Sequence, residues 1–560
     1  MPRSDRPLAF EMVVLGQSGG PTETGLSGYI LKPYETSWTD GWVGLEGGSG
    51  MGALSSLLQQ GALNTALRER VQLAGSSHSS VVELPLQPLP ATPDMTPHNS
   101  GLSEKFPTVL EVEDEAHGKV TLRSLGVSTG SEEDDMPLIE EGSMFPGIQW
   151  PAECPSPLLK AGWFFSLLAC QLITHAHFDH ILAMVLATGS LPPRSLPPYP
   201  PGSLPSDKPV RIQVYAQRNV LEKISTVYDG EVWPELGAWA GRPIPPGDAI
   251  LGVGSGLNGI KSRLEGMMDS MIHSKGDGNC TDDEPGERVN KEDNGGSEEM
   301  GRQEPARQVY APMDGIGIQY CPMPSSLRYQ RLPISGISRT DPTRRIGLSA
   351  LHMPVVHGNT SRGTYESSAF FVNADVCAAT EDMETMTTPP DGPEILFWGD
   401  VESTIDEDVR VEDAVDVNIR VWREAAIRWN QGRLGAVFIE CSYASDRPCH
   451  LMFGHLRPQS LYAELVRLSA CVSLLQAQSR SVSSVSSSSS TSSLPSPLPL
   501  AGLKIYIIHV KQPLKPDPSG LGIMTLIKRE LDELETQAKG RGQGLGVEFI
   551  MLRKGMRIVI

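Results

Sequence analysis

Positive charge is scarce in this chain. Its 560 residues include 47 Lys and Arg against 67 Asp and Glu, a formal net charge of -20 at pH 7. A surface this acidic has no general attraction for nucleic acid or for an anionic membrane, so neither is expected as a partner. No apolar run approaches the roughly 18 residues of a membrane span. The first twenty residues, MPRSDRPLAFEMVVLGQSGG, carry a short apolar run broken by Glu11 and no small-residue cleavage site, which argues against a secretory signal. A cytoplasmic protein is expected. Paired cysteines are missing as well. Cys154, Cys170, Cys280, Cys321, Cys377, Cys441, Cys449 and Cys471 form no CxxC pair and no regular spacing. Reduced, structural thiols are expected rather than a disulfide framework. No solenoid-type repeat is present.

Length alone suggests about three or four domains, but several stretches read as insertions into one domain spanning residues 8–560. Residues 76–150, with SEEDDMPLIEEG, are rich in Pro, Ser, Glu and Asp, and most of them read as a solvated insertion with fragments of structure. Residues 254–307 have so few apolar side chains that disorder is expected there. Residues 480–499, RSVSSVSSSSSTSSLPSPLP, form a Ser-rich linker inserted before a late strand. Residues 191–209 read as a proline-rich loop and 380–393 as a hairpin extension.

What remains is a series of strand-like runs. They are residues 12–15, 26–32, 42–45, 167–174, 210–217 and 345–353, then AFFVNAD, EILFWGD, AVFIECS and LKIYIIHV. Each is apolar and strong in β-branched or aromatic residues. EGGSGMGALSSLLQQ reads as a strand-to-helix corner. Its GGSGMG lacks the Lys-Ser/Thr ending of a P-loop and has the wrong spacing for a dinucleotide fold.

One stretch stands apart. ITHAHFDHILAMVLATG, residues 173–189, places His175, His177, Asp179 and His180 within six residues, after a buried strand and before an apolar helix. Open α/β sheets carry ligand-binding side chains at such strand ends. Imidazole and carboxylate together suit zinc, manganese or iron rather than a thiolate site. Further candidates end later apolar runs: His357 in HMPVVHG, Asp400 in EILFWGD and His509 in KIYIIHV. Isolated histidines such as His352 and His450 are read as ordinary core or surface residues.

These motifs, with VVLGQSGGPTETGLSGYIL, GLEGGSGMGAL, YESSAFF, FWGDVES, FIECSY, FGHLRP and IIHVK, resemble the metallo-β-lactamase superfamily, whose hallmark is HxHxDH. The resemblance is closer still to its class II 3′,5′-cyclic nucleotide phosphodiesterases. It departs at Phe178, where that family usually has Leu, a change read as one of packing. The resemblance implies an αββα sandwich, an α/β fold, with two divalent metal ions at one edge, zinc by first choice and manganese or iron as alternatives. One ion would bind His175, His177 and His357. The other would bind Asp179, His180 and His509, with Asp400 bridging.

Such a site suits hydrolysis of a cyclic 3′,5′-phosphate, of cyclic AMP and in a wider reading cyclic GMP, by a metal-bound hydroxide, giving a 5′-monophosphate and lowering a cyclic nucleotide signal. Asp179 would orient the attacking water. His455, in FGHLRP, would contact phosphate or protonate the leaving alkoxide. Glu440 reads either as a partner to a histidine or as a rim carboxylate, and Lys511 as a phosphate contact or a solvated lysine. Two alternatives remain: another hydrolase of the superfamily acting on a thioester, lactone or RNA end, and a non-catalytic metal-binding scaffold. An RNA-processing enzyme would be expected to carry more basic charge.

Overall fold

Successive side chains of a strand point to opposite faces, and here both faces are covered. In the computed structural model, Phe370 and Val372 point into one apolar core while Phe371, between them, points into another. Strands buried on both sides read as continuous apolar runs, which explains why these segments show no alternation. The structure describes residues 8–76, 144–191, 211–240, 317–324, 327–360, 363–377, 391–404, 416–483, 498–514 and 520–560. Most of the first insertion, the whole acidic insertion at 254–307, most of the proline-rich loop, most of the hairpin extension and most of the Ser-rich linker lie outside them.

The first half of the chain supplies β1 (Phe10–Gly16), β2 (Gly28–Pro33), β3 (Trp42–Leu45), β4 (Leu168–Leu172), β5 (Ile212–Ala216), β6 (Gly237–Trp239) and β7 (Ile318–Pro322). The second half supplies β8 (Gln330–Ile337), β9 (Arg345–Thr360), β10 (Gly363–Cys377), β11 (Glu394–Trp398), β12 (Leu434–Glu440), β13 (Lys504–Ile508), β14 (Glu548–Met551) and β15 (Arg557–Val559). The strands form two mixed sheets, ordered β15-β1-β2-β3-β4-β5-β7-β6 and β14-β13-β12-β11-β10-β9-β8. The last strand thus returns to pair with the first, Met12 opposite Ile558.

The sheets pack face to face through Phe10, Met12, Tyr29, Phe370, Phe397, Phe438 and Tyr506. Four helices cover the outside of the first sheet: α1 (Met51–Ser76), α2 (Pro157–Phe165), α3 (Phe178–Ala187) and α4 (Arg218–Ser225). Three cover the second: α5 (Asn418–Asn430), α6 (Pro458–Ser483) and α7 (Ile523–Gly540). This is the expected αββα sandwich. Among the described residues no helix is long and apolar enough to cross a membrane, and the six described cysteines are free.

Three boundaries differ from the sequence reading. Met144 and Phe145, placed in the first insertion by composition, are buried against Trp38 and Phe164. α6 continues to Ser483, into the Ser-rich stretch. β9 does not stop at Met353: it runs through His357 to Thr360 because its partner β10 is equally long and supplies the ladder.

Candidate metal centre

β4 ends at Leu172, and an irregular stretch with a bend at Thr174 leads to His177, which occupies the N-cap of α3 in an extended conformation. Asp179 then falls in the first helical turn, where a carboxylate is favoured by the helix dipole. His180 points inward and is buried. β9 brings His357, the turn after β11 brings Asp400, and the residue after β13 brings His509. All seven candidates lie at one edge of the sandwich and form two groups sharing one carboxylate. His175, His177, His357 and Asp400 are one; Asp179, His180, Asp400 and His509 are the other.

Asp400 Oδ2 is the common point. It lies 3.3 Å from Nε2 of both His180 and His509, 3.6 Å from Nε2 of His175 and 3.7 Å from Nε2 of His357. Nδ1 of His177 is 3.1 Å from Nε2 of His175 and 3.3 Å from Nε2 of His357. Ligands held at about 2.0–2.1 Å in tetrahedral geometry stand about 3.3 Å apart, so the donor set has the spacing that two ions would need. Asp400 Oδ2 and His180 Nε2 are buried and make no hydrogen bond. Buried polar atoms are otherwise paired, and a shared cation satisfies both.

Outer partners set which nitrogen faces inward. His357 Nδ1 donates to the carbonyl of Gly454 at 2.8 Å, which leaves Nε2 unprotonated for a metal. Ser442 Oγ donates to Glu440 and therefore accepts from Nδ1 of His509 at 3.1 Å. Thr174 Oγ1 donates to Glu46 and accepts from Nδ1 of His175 at 3.0 Å. The Nε2 lone pair of His509 then faces the Asp179 carboxylate at 3.1 Å, an arrangement that calls for a cation between them. Glu46 also places Oε1 3.2 Å from Nδ1 of His180.

Electrostatics agree with a ligand role. Burial, aided by neighbouring histidines, pushes the imidazole of His175 well below its usual pKa. Burial also brings His177 and His357 down to about 4, so both are neutral at pH 7. Burial works against charge on Asp400, but the surrounding imidazoles, His509 and His180 first, outweigh it and hold the carboxyl well below its usual range. In Asp179 burial is likewise outweighed, chiefly by His509, and its carboxyl is depressed. His180 moves the other way: burial disfavours its charge, yet Asp400 and Glu46 prevail.

His455 adjoins both groups. Its Nδ1 is 3.7 Å from Asp400 Oδ2 and 3.1 Å from each Glu440 oxygen. Glu440 is fully buried and accepts from the backbone of Val401 at 2.7 Å, so it is the histidine's partner and no rim carboxylate. Burial and then Asp400 push its pKa up to about 7. Lys511 donates to the Gly19 carbonyl at 2.9 Å and stands 3.9 Å from Asp179 Oδ2, fixed beside the groups. His352 is buried in β9 outside them, and His450 is exposed. Phe178 is a correction: it is 59 % exposed, so its departure from Leu is no matter of core packing.

The glycine-rich corner after β3 serves the same edge. Gly47 donates to the His180 carbonyl at 2.6 Å. A Cβ on Gly48 would come 1.8 Å from the Asp179 carbonyl oxygen. These glycines allow a close approach to α3. Glu46, Thr174 and the Gly454 carbonyl were not found as partners from the sequence. The signals available were a carboxylate at a strand end before two glycines and a hydroxyl directly before His175.

The sandwich with paired histidine and carboxylate groups at one edge defines a metallo-β-lactamase fold. The family described as class II cAMP phosphodiesterases matches residues 326–555. A 3′,5′-cyclic-nucleotide phosphodiesterase of Candida albicans is 21% identical over 524 residues, covering 91% of this chain and 91% of that protein. A probable 3′,5′-cyclic-nucleotide phosphodiesterase of Yersinia pestis is 28% identical over 159 residues, 28% of this chain and 35% of that protein. The crystal structure of unliganded yeast PDE1 aligns with a TM-score of 0.50 at 17% identity, covering 99% of this chain and 100% of that one. Residues 326–555 thus match the class II cAMP phosphodiesterase family, and the chain is similar to a curated 3′,5′-cyclic-nucleotide phosphodiesterase over most of its length.

Proposed function

We propose that this enzyme hydrolyses 3′,5′-cyclic nucleotides, cyclic AMP and also cyclic GMP, to 5′-monophosphates at a two-metal centre. The observation that carries the reading is the position of Asp400 Oδ2, within 3.7 Å of a ligand nitrogen on four different histidines. His175, His177 and His357 would hold one ion, Asp179, His180 and His509 the other, and Asp400 would bridge. Two bound divalent ions, zinc by first choice with manganese or iron as alternatives, supply water activation at neutral pH and offset the negative charge of the diester.

The remaining work falls to side chains. Asp179, partly exposed at the edge of the cluster, orients the attacking water. Glu440, its carboxyl pushed up to about 7 by burial and Asp400, faces His455 Nδ1 and would hand it a proton as the Nε2–H of His455 passes its own to the departing 3′ oxygen. Lys511 adds a fixed positive charge for a phosphate oxygen. The reading carries with it a cytoplasmic location and a lowering of cyclic nucleotide signals.

The test is turnover of cyclic AMP and cyclic GMP by wild type and Asp400→Ala, with metal content determined for each. Release of 5′-monophosphate by wild type, lost together with metal in the variant, supports the reading. A metallated wild type that turns over neither nucleotide sinks it and moves the assignment to a thioester, lactone or RNA-end hydrolase.

A further inference from the structure

The site is crossed by a row of rings. Tyr365 stacks on His177 at 4.4 Å, His177 neighbours His357 at 5.1 Å, His357 neighbours His455 at 4.8 Å, and Tyr443 meets His455 edge-on at 5.9 Å. Each outer tyrosine carries a cation: Lys223 lies 3.8 Å over Tyr365, and Arg447 lies 4.5 Å over Tyr443. The row therefore has two different ends, one beyond His177 and one beyond His455.

The chemistry chooses between them. If His455 protonates the 3′ oxygen, that oxygen must come within hydrogen-bond reach of its imidazole. The ribose is bonded to that oxygen, and the base is carried by the ribose. The nucleoside must then extend over the His455 end, across Tyr443 and Arg447.

A third aromatic stands there. The Arg447 guanidinium is also 5.9 Å from the ring of Phe453, and its Nε is tied to the Leu451 carbonyl at 3.1 Å. Phe453 is 64 % exposed and sits at φ +50°. A left-handed backbone is strained for a bulky residue and persists where the surroundings impose it. Among the described residues the other non-glycine positions with positive φ are Glu46 and His509, both in the metal centre. The conformation of Phe453 is imposed next door, where Gly454 packs on Gly358 and gives its carbonyl to His357.

We propose that Phe453, with Arg447 and Tyr443 behind it, forms the wall on which the nucleobase of the substrate stacks, a specificity-determining contact that rests on the phosphodiesterase reading above. A purine ring finds a π face in Phe453 and a guanidinium plane in Arg447, the combination that binds unpaired bases elsewhere.

Phe453→Ala and Phe453→Trp test it, each loaded with metal to the wild-type content. Values of kcat and KM are measured for cyclic AMP and cyclic GMP, with inhibition constants for 5′-AMP and inorganic phosphate. The proposal expects Phe453→Ala to raise KM about tenfold with a much smaller change in kcat, and Phe453→Trp to restore it. It also expects the ratio of the phosphate to the 5′-AMP inhibition constant to fall about tenfold in Phe453→Ala, because the base contact is lost and the phosphate contact kept. A Phe453→Ala enzyme with wild-type KM and wild-type inhibition ratio overturns the proposal while the phosphodiesterase reading stands. A metallated wild type inactive on both nucleotides overturns that reading, and this inference with it.

Discussion

Glu46 and His180 meet across 134 residues of sequence, with Glu46 Oε1 3.2 Å from the histidine's Nδ1. Glu46 holds this place at φ +62°, and its carboxylate also takes the backbone N–H of Thr174 at 3.3 Å. Glu46→Gln keeps the shape and removes the charge. Metal affinity is expected to fall about 10–100-fold, measured by competition with a chromogenic chelator. Unchanged affinity would leave Glu46 a purely structural residue.

Glu464 of α6 ties down the segment that follows Asp400. It accepts from Ser403 Oγ at 3.1 Å, from the Thr404 backbone at 3.3 Å and from Trp422 Nε1 at 2.7 Å. Glu464→Ala removes the acceptor that these buried and half-buried donors share. A loss of about 2–4 kcal/mol in stability is expected by denaturant titration, with a smaller loss for Glu464→Gln.

Two glycines only four residues apart should respond in opposite directions. A Cβ at Gly48 meets backbone atoms of Asp179, which cannot swing aside, whereas a Cβ at Gly52 in α1 meets nothing within 4 Å. Gly48→Ala is expected to lower the melting temperature and metal content together. Gly52→Ala is expected to hold or raise stability, by up to about 0.5 kcal/mol.

His352 is a source of acid sensitivity away from the centre. Burial brings His352 down to about 4 in the folded protein, against about 6.5 unfolded. As pH falls through that window the unfolded chain takes up a proton and the folded chain does not, so stability is lost. His352→Leu should lessen the fall in stability between pH 6.5 and 4 by on the order of 2 kcal/mol relative to wild type, read from paired melting curves. Parallel curves would contradict a neutral buried His352.

Stripping metal with a chelator should lower the melting temperature by several degrees, since ions that bind only the folded state stabilise it by mass action. The shift should disappear in Asp400→Ala. A wild type whose melting temperature ignores the chelator would speak against resident ions.

His175, His177, Asp179 and His180 were legible because their neighbours in space are their neighbours in sequence, placed by one strand end and one helix start. The strands around them were legible because helices cover both sheets, so buried segments became continuous apolar runs. His357 was found as a residue, but its setting was misread: a strand ending cannot be seen locally when a partner strand carries the pairing onward. Which fragment of the first insertion is structured was not legible for a similar reason, since the burial of Met144 and Phe145 depends on a cluster with Trp38 and Phe164, far away in the chain.

The sequence by itself determined the apolar layers and the local cluster of imidazole and carboxylate groups in the candidate centre, because those depend on side-chain chemistry and short-range periodicity. The tertiary structure decided the rest. It brought Asp400 into the middle of four imidazoles, gave His175, His357 and His509 the partners that fix their ring protons, and set Glu440 against His455. Those relations rest on distances of about 3 Å between groups up to hundreds of residues apart, and no local pattern encodes a distance that only the packing of two sheets can close.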